Sequence, residues 1–299
     1  MTQGPLRETR HPRQNRAEIE PAAGMKSTWD RRIERATELM SAYPFAAESL
    51  RFYAQVAMLQ HLLGVEVEHA PANFFLTQSD SSKPARLQPS AFPLRFSDFI
   101  KKVSEIAPAP LAHGAEKLLQ EDPATRTNLL KDFWQFPVTA EDETQSNDTL
   151  TAARYLAWLF LQPFAEYQAR HQKSAGANES ARRCPLCGSA PIVGVLRPEG
   201  DGAKKSLICM LCAHEWAFRR IYCPACGEER DSQLAFYSAP EIAHIRVDVC
   251  DSCHTYLKSV DLTKTGLAVP VVDELAALPL DLWAREHGYH KLQMNMVGM

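Results

Sequence analysis

Four cysteine pairs decide the reading of this chain: CPLCG at 184–188, CMLC at 209–212, CPACG at 223–227 and CDSC at 250–253. All eight cysteines of the protein fall in these pairs. Two residues between paired cysteines let both sulfurs converge on one ion, while backbone N–H groups of the turn donate to them. Gly188 and Gly227 supply the positive φ such a turn needs, and Pro185 and Pro224 stiffen its start. Two facing knuckles then complete a tetrahedron. The intervals are 21 residues between Cys187 and Cys209, 23 between Cys226 and Cys250, and 10 between Cys212 and Cys223. The long intervals suit hairpins and the short one a connector. Sequential pairing is therefore expected, with Cys184, Cys187, Cys209 and Cys212 at site one and Cys223, Cys226, Cys250 and Cys253 at site two. Spacing leaves an interleaved, cross-braced pairing as the alternative.

The CPxCG motif recurs after 39 residues, the size of one metal-ribbon module. A module that small cannot bury enough core to fold without its ion. Four thiolates suit zinc or a single iron. Redox-active pairs would need a thioredoxin-like βαβ context that the flanking sequence lacks. His214 and His254 adjoin ligand pairs. With four sulfurs per site they are expected to support the knuckles or face solvent rather than bind the ion. Glu215, Trp216, Arg219 and Arg220 read either as a binding face or as ribbon packing with arginines offsetting thiolate charge.

Around this region the texture changes. Residues 28–172 carry helical periodicity: Arg31–Tyr43, Phe45–Leu63, a helix capped by Ser97 that runs to Ile106, one opened by Asp122 and Pro123 that runs to Trp134, and one from Asn147 or Asp148 to Gln172. The last is apolar nearly all round (Tyr155, Leu156, Trp158, Leu159, Phe160, Leu161, Phe164) and belongs at the centre of the helical domain, with Pro163 expected to kink it. Residues 71–95 read as irregular. The run HQKSAGANESARR leads into a linker over 173–183. Short β-branched runs follow at Ile192–Leu196, Ser206–Ile208, Trp216–Tyr222, Leu234–Tyr237 and Ile245–Val249. They divide into a first metal module, 184–221, and a second, 222–265. The tail 266–299 returns to helical spacing, with Leu275, Leu278, Leu282 and Trp283 packing it back. The fold class is thus an all-helical N-terminal domain followed by two tandem zinc-ribbon-like modules.

Net charge is −3 with a pI near 6.4, which gives no electrostatic reason to expect nucleic acid or anionic membrane as a partner. Between Arg182 and Asp261 there are ten Lys/Arg and ten Asp/Glu, and bound thiolates would make the region negative. No stretch reaches the roughly 18 apolar residues of a spanning helix. Residues 1–27 are polar, lack the apolar core of a secretory signal and read as a disordered tail, with Met25 an alternative start. The expected location is the cytoplasm, where disulfides are disfavoured. Nucleophile-elbow, P-loop, dinucleotide and HExxH motifs are all missing. The Glu141-Asp142 pair lies in a polar loop and reads as solvated. Closed four-ligand sites leave no position for substrate, so no enzymatic activity is expected.

The run CPLCG, then LICMLCAHEWAFRRIYCPACG, then VDVCDSCHTYLKSVD, closing with VVDELAALPLDLWAREHGY, resembles the FdhE family of formate dehydrogenase accessory proteins. RATELMSAYPFAAESLRFYAQVAMLQ is similar to that family's opening helices. The resemblance implies tandem rubredoxin-like modules that bind iron through all eight cysteines, with zinc as the alternative ion. It implies a cytoplasmic assembly factor or chaperone, needed for active respiratory formate dehydrogenase. Such a factor associates with the molybdenum- and selenium-containing catalytic subunit before its export by the twin-arginine (Tat) route. A rubredoxin-type electron carrier and a zinc-ribbon nucleic-acid-binding protein are the rival readings.

Overall fold

The computed structural model describes residues 26–76, 87–88, 91–135, 148–172, 178–296 and 298. The tail 1–25, the Glu141-Asp142 pair and the first residues of the linker lie outside them. The N-terminal layer is helical: α1 (Thr28–Ala42), α2 (Ala47–His69), α3 (Pro93–Ile106), α4 (Ala109–Gln120), α5 (Pro123–Gln135) and α6 (Asp148–His171). A capping box opens α1: Ser27 Oγ accepts from the Asp30 amide at 3.1 Å, and the Asp30 carboxylate accepts from the Ser27 amide at 3.0 Å. Asp122 caps α5 by accepting from the amides of Ala124 and Thr125 at 2.8 and 3.0 Å.

Two helical readings need correction. Ser97 does not cap α3. The helix starts at Pro93, whose fixed φ suits a first turn, and Ser97 Oγ donates to the Pro93 carbonyl at 2.7 Å. Helix α4 had no sequence expectation; Pro108 and Pro110 sit at its opening.

α6 lies at the centre of this layer, with Leu156 to Leu161 and Phe164 buried. The rings of Phe92, Phe96, Phe99, Phe160 and Phe164 pack with centroids 5.0 to 6.0 Å apart. Pro163 sits inside the helix and offers no N–H to the Leu159 carbonyl one turn back. Gln60 of α2, fully buried, makes good the loss. Its Nε2 donates to Leu159 O at 2.8 Å and to Gln162 Oε1 at 2.7 Å. Replacing Gln60 by Leu should orphan that carbonyl and cost about 1–3 kcal/mol, read as a lower urea midpoint. An unchanged midpoint would show that α6 satisfies the carbonyl without α2.

The C-terminal region is built on one seven-stranded sheet ordered β3-β2-β1-β6-β5-β4, with β7 beside β6. The strands are β1 (Pro191–Glu199), β2 (Gly202–Cys209), β3 (Glu215–Ala217), β4 (Leu234–Ser238), β5 (Ile245–Cys250), β6 (Thr255–Asp261) and β7 (His290–Lys291). Each cysteine module contributes three consecutive strands. The joint is parallel pairing of β1 with β6, Gly194 to Ser259 through Leu196 to Asp261. A Cβ at Gly194 would collide with the Ser259 hydroxyl, so the joint requires glycine there. The first hairpin outruns its apolar cores, because the β1–β2 ladder continues to Glu199 opposite Gly202. Strand β3 is shorter than the predicted Trp216–Tyr222 and ends at Ala217.

Two short helices, α7 (Pro270–Ala276) and α8 (Leu278–Glu286), precede β7. Leu275 is buried, but Leu282, expected to pack, is exposed. Helix α7 lies against β1 and β6 on one side and α1 on the other. Arg35 of α1 grips the buried Asp273 with two bonds of 2.9 and 2.6 Å, and His244 Nε2 lies 3.0 Å from the same carboxylate. Deeper still, Lys258 of β6 is fully buried between Glu274 and Asp281. No helix among the described residues is long and apolar enough to cross a membrane.

Candidate metal centres

Both cysteine sets occupy equivalent places in their three-strand units. The first pair lies in the loop before the opening strand, and the second begins on the last residue of a strand and turns into the next. The structure brings together Cys184, Cys187, Cys209 and Cys212, and separately Cys223, Cys226, Cys250 and Cys253, each set with its sulfurs within 4.8 Å of one another. The interleaved pairing is not formed.

The sulfur separations carry chemical information. Site one has Cys184–Cys212 at 3.5 Å, Cys187–Cys209 at 3.4 Å and Cys187–Cys212 at 3.5 Å. Site two has Cys223–Cys253 at 3.8 Å and Cys226–Cys250 at 3.7 Å. A tetrahedron with metal–sulfur bonds of about 2.3 Å has an edge of about 3.8 Å. A disulfide would need about 2.0 Å. The donor set therefore fits a tetrahedral tetrathiolate ion.

Local backbone geometry explains the convergence. In the first knuckles the Gly188 amide donates to Cys184 O at 2.9 Å, and the Gly227 amide donates to Cys223 O at 3.0 Å. Both glycines adopt the expected positive φ, 75° and 83°. The second knuckles make the same turn without glycine: Ala213 has φ 52° and His254 has φ 53°. Superposing the second pairs on CPxCG would have flagged these two positions. The amides of Leu211 and Cys212 point at Cys209 Sγ from 3.4 and 3.5 Å, and the Cys226 amide points at Cys223 Sγ from 3.5 Å. Such donors favour thiolates.

Electrostatically, four thiols this close cannot all ionise without a cation among them. Hydrogen bonds from Cys184, Cys209 and Cys212 hold Cys187 far below its usual value, whereas burial pushes Cys209 well above it. At site two, burial pushes Cys250 up to about 11.

The two sites differ in surroundings. Site one is sunk against the helical layer, with Cys184, Cys209 and Cys212 buried. The Met210 carbonyl, inside its second knuckle, accepts from Trp158 Nε1 at 3.0 Å and Gln162 Nε2 at 2.8 Å of α6. Sequence reasoning placed Trp158 in the core but missed Gln162. Site two is open, with Cys226 exposed and Cys253 half-buried. Arg182, just before the first module, reaches across to the Ala225 carbonyl at 2.7 Å.

The neighbouring residues also resolve. His214 and His254 contribute backbone carbonyls, accepting from the amides of Cys209 and His290 at 3.0 and 2.7 Å. Trp216 is buried and donates to Ala181 O at 2.8 Å, so it packs the ribbon rather than facing a partner. Glu215 takes Arg197 in two bonds of 2.7 and 2.6 Å, and Arg219 pairs with Glu229 at 2.8 Å. Arg220 lines a cleft of about 430 Å³ beside Cys223 and Cys250.

Comparison with known proteins gives a consistent picture. Residues 183–220 match the family model for the FdhE central domain, and 221–297 match that for the FdhE C-terminal domain. The FdhE homolog of Shewanella oneidensis is 27% identical over 290 residues, covering 93% of this chain and 91% of that protein. That of Aquifex aeolicus is 29% identical over 205 residues, covering 68% of this chain and 71% of its own. The crystal structure of the FdhE protein from Pseudomonas aeruginosa shares the fold, with a TM-score of 0.66 at 24% identity over 90% of this chain and 95% of that one.

Proposed function

The chain belongs to the FdhE family, and on that premise we propose that it is a cytoplasmic assembly factor for respiratory formate dehydrogenase. In this reading it binds the catalytic subunit before export and has no turnover of its own. Likeness to an FdhE homologue over 93% of the chain is the observation that carries it, and the two four-cysteine clusters of this chain are consistent with it. Each tetrahedron is complete in sulfur, so its ion would have no free position for a substrate. Deleting the gene from its host should abolish formate dehydrogenase activity while the catalytic polypeptide is still made, and the wild-type gene should restore it. Normal activity in the deletion strain would remove the proposal.

The eight cysteines would hold two ions, iron in preference to zinc. Iron would supply a one-electron couple; zinc would supply fixed geometry alone. Protein isolated from its own host should carry two ions and a visible ferric-thiolate spectrum. A colourless protein with two zinc ions would establish the structural role instead.

Exposure makes the centres unequal. A chelator should empty site two well before site one, and alkylation should then label Cys226 and Cys253 first. Native mass spectrometry should pass through a one-ion species; simultaneous loss of both ions would contradict the inequality. The open setting of Cys226 is also what favours the second reading, an electron carrier, which requires fast reversible reduction at site two.

A further inference from the structure

We infer that residues 289–296 form a strap that transmits the state of site two to a groove on the helical layer. The inference rests on the reading of site two as a metal centre. The strap begins on the second knuckle of that site. Tyr289 hydroxyl donates to Asp251 Oδ1 at 2.7 Å, and the His290 amide donates to His254 O at 2.7 Å. The Leu292 amide then donates to Tyr256 O at 2.9 Å, which lays the strap along β6.

Its middle is held by buried charge. Lys291 Nζ lies 3.2 Å from Glu274 and 3.0 Å from Asp281, and Asn295 Nδ2 lies 3.4 Å from Glu274. Its far end reaches α6, where the Tyr155 hydroxyl donates to the Met296 carbonyl. There Met294 and Gly298 form one wall of a groove of about 1020 Å³, whose other walls include Phe52, Leu111 and Tyr155.

Coupling follows from what holds each end. Asp251 and His254 belong to the Cys250–Cys253 turn, and His254 sits in a left-handed conformation that a histidine keeps only under constraint. An ion among the four sulfurs supplies that constraint. Without it the turn relaxes, and the first two strap contacts lose their anchor. Buried charges stay paired, so the strap cannot loosen at one end while each side chain slides independently. The displacement is carried toward Met294 and the groove.

Hydrogen exchange on the full chain tests this, with ion content of the same samples read by native mass spectrometry. When site two alone is emptied, the strap peptide should exchange about tenfold faster, and peptides over 109–120 should follow in the same sense. Tyr289→Phe keeps every sulfur. It should retain two ions while the strap still exchanges about threefold faster. A one-ion protein with unchanged strap exchange would overturn the coupling and leave the metal reading intact. A chain that carries no ion in any preparation would overturn both.

Discussion

Replacing Cys209 by serine is expected to unfold the sheet region and leave no ion at site one. Cys209 is 1% exposed, ends β2, and receives two amides on its sulfur. A structural tetrathiolate ion contributes about 10–16 kcal/mol of apparent binding free energy in small modules. Whole domains are stable by only about 5–15 kcal/mol. Loss of that one ion therefore exceeds what the remaining sheet can offset. The damage should spread, because the Met210 carbonyl beside it is the shared acceptor for Trp158 and Gln162, so the dock onto α6 fails as well. Cys226→Ser, at the exposed rim of site two, should lower stability far less and leave a folded one-ion chain. Circular dichroism and ion content of both variants decide it. Equal Tm values for Cys209→Ser and wild type would contradict a structural site one.

Lys258→Met is the second large effect. Lys258, Glu274 and Asp281 are all fully buried, with Lys258 Nζ 2.9 Å from Glu274. Removing the cation leaves two buried carboxylates with Lys291 as their remaining ion-pair partner, at a cost of about 3–5 kcal/mol. Tm should fall by on the order of 10 °C. The pH dependence has a definite sign. Burial opposes ionisation of Asp281, but Lys258 and Lys291 outweigh it and hold its carboxyl below the usual range. Its contribution is therefore full above the unfolded value of about 3.9 and is lost as pH falls through the folded one. For Lys258 burial also opposes the charge, and the two carboxylates win, raising it. That contribution is full below about 10.4 and is lost as pH rises through the folded value. The gap in Tm between variant and wild type should be widest between about pH 5 and 9 and narrow in acid. A pH-independent gap would mean that lost packing, not charge, destabilises the variant.

These two sites mark how far the sequence can be read. The cysteine sets were legible because pair spacing and interval length are local properties, and sequential closure needs only a hairpin in each interval. Glycine after the first pairs announced its turn; Ala213 and His254 carried no such sign, since side-chain type normally argues against positive φ. The helical layer followed from periodicity, apart from the start of α3 and all of α4, where first-turn prolines follow residues that offer no capping side chain, unlike Asp122 before Pro123. The β1–β6 joint was invisible. Nothing in GVL at 194–196 or SVD at 259–261 says that strands of different modules pair in parallel, because that register is set by long-range packing. The strand of Lys258, Thr255–Asp261, was not among those expected, and Lys258 drew no expectation. Its burial depends on Glu274 and Asp281 arriving from α7 and α8, 16 and 23 residues further along the chain.

The most direct measurement of the central claim is capture. The full chain, tagged and expressed in its own host under conditions that induce respiratory formate dehydrogenase, should bring down the catalytic subunit of that enzyme, identified by mass spectrometry. Recovery of the tagged chain with both ions bound, beside a lysate that contains the subunit and an eluate that lacks it, would contradict the assembly role.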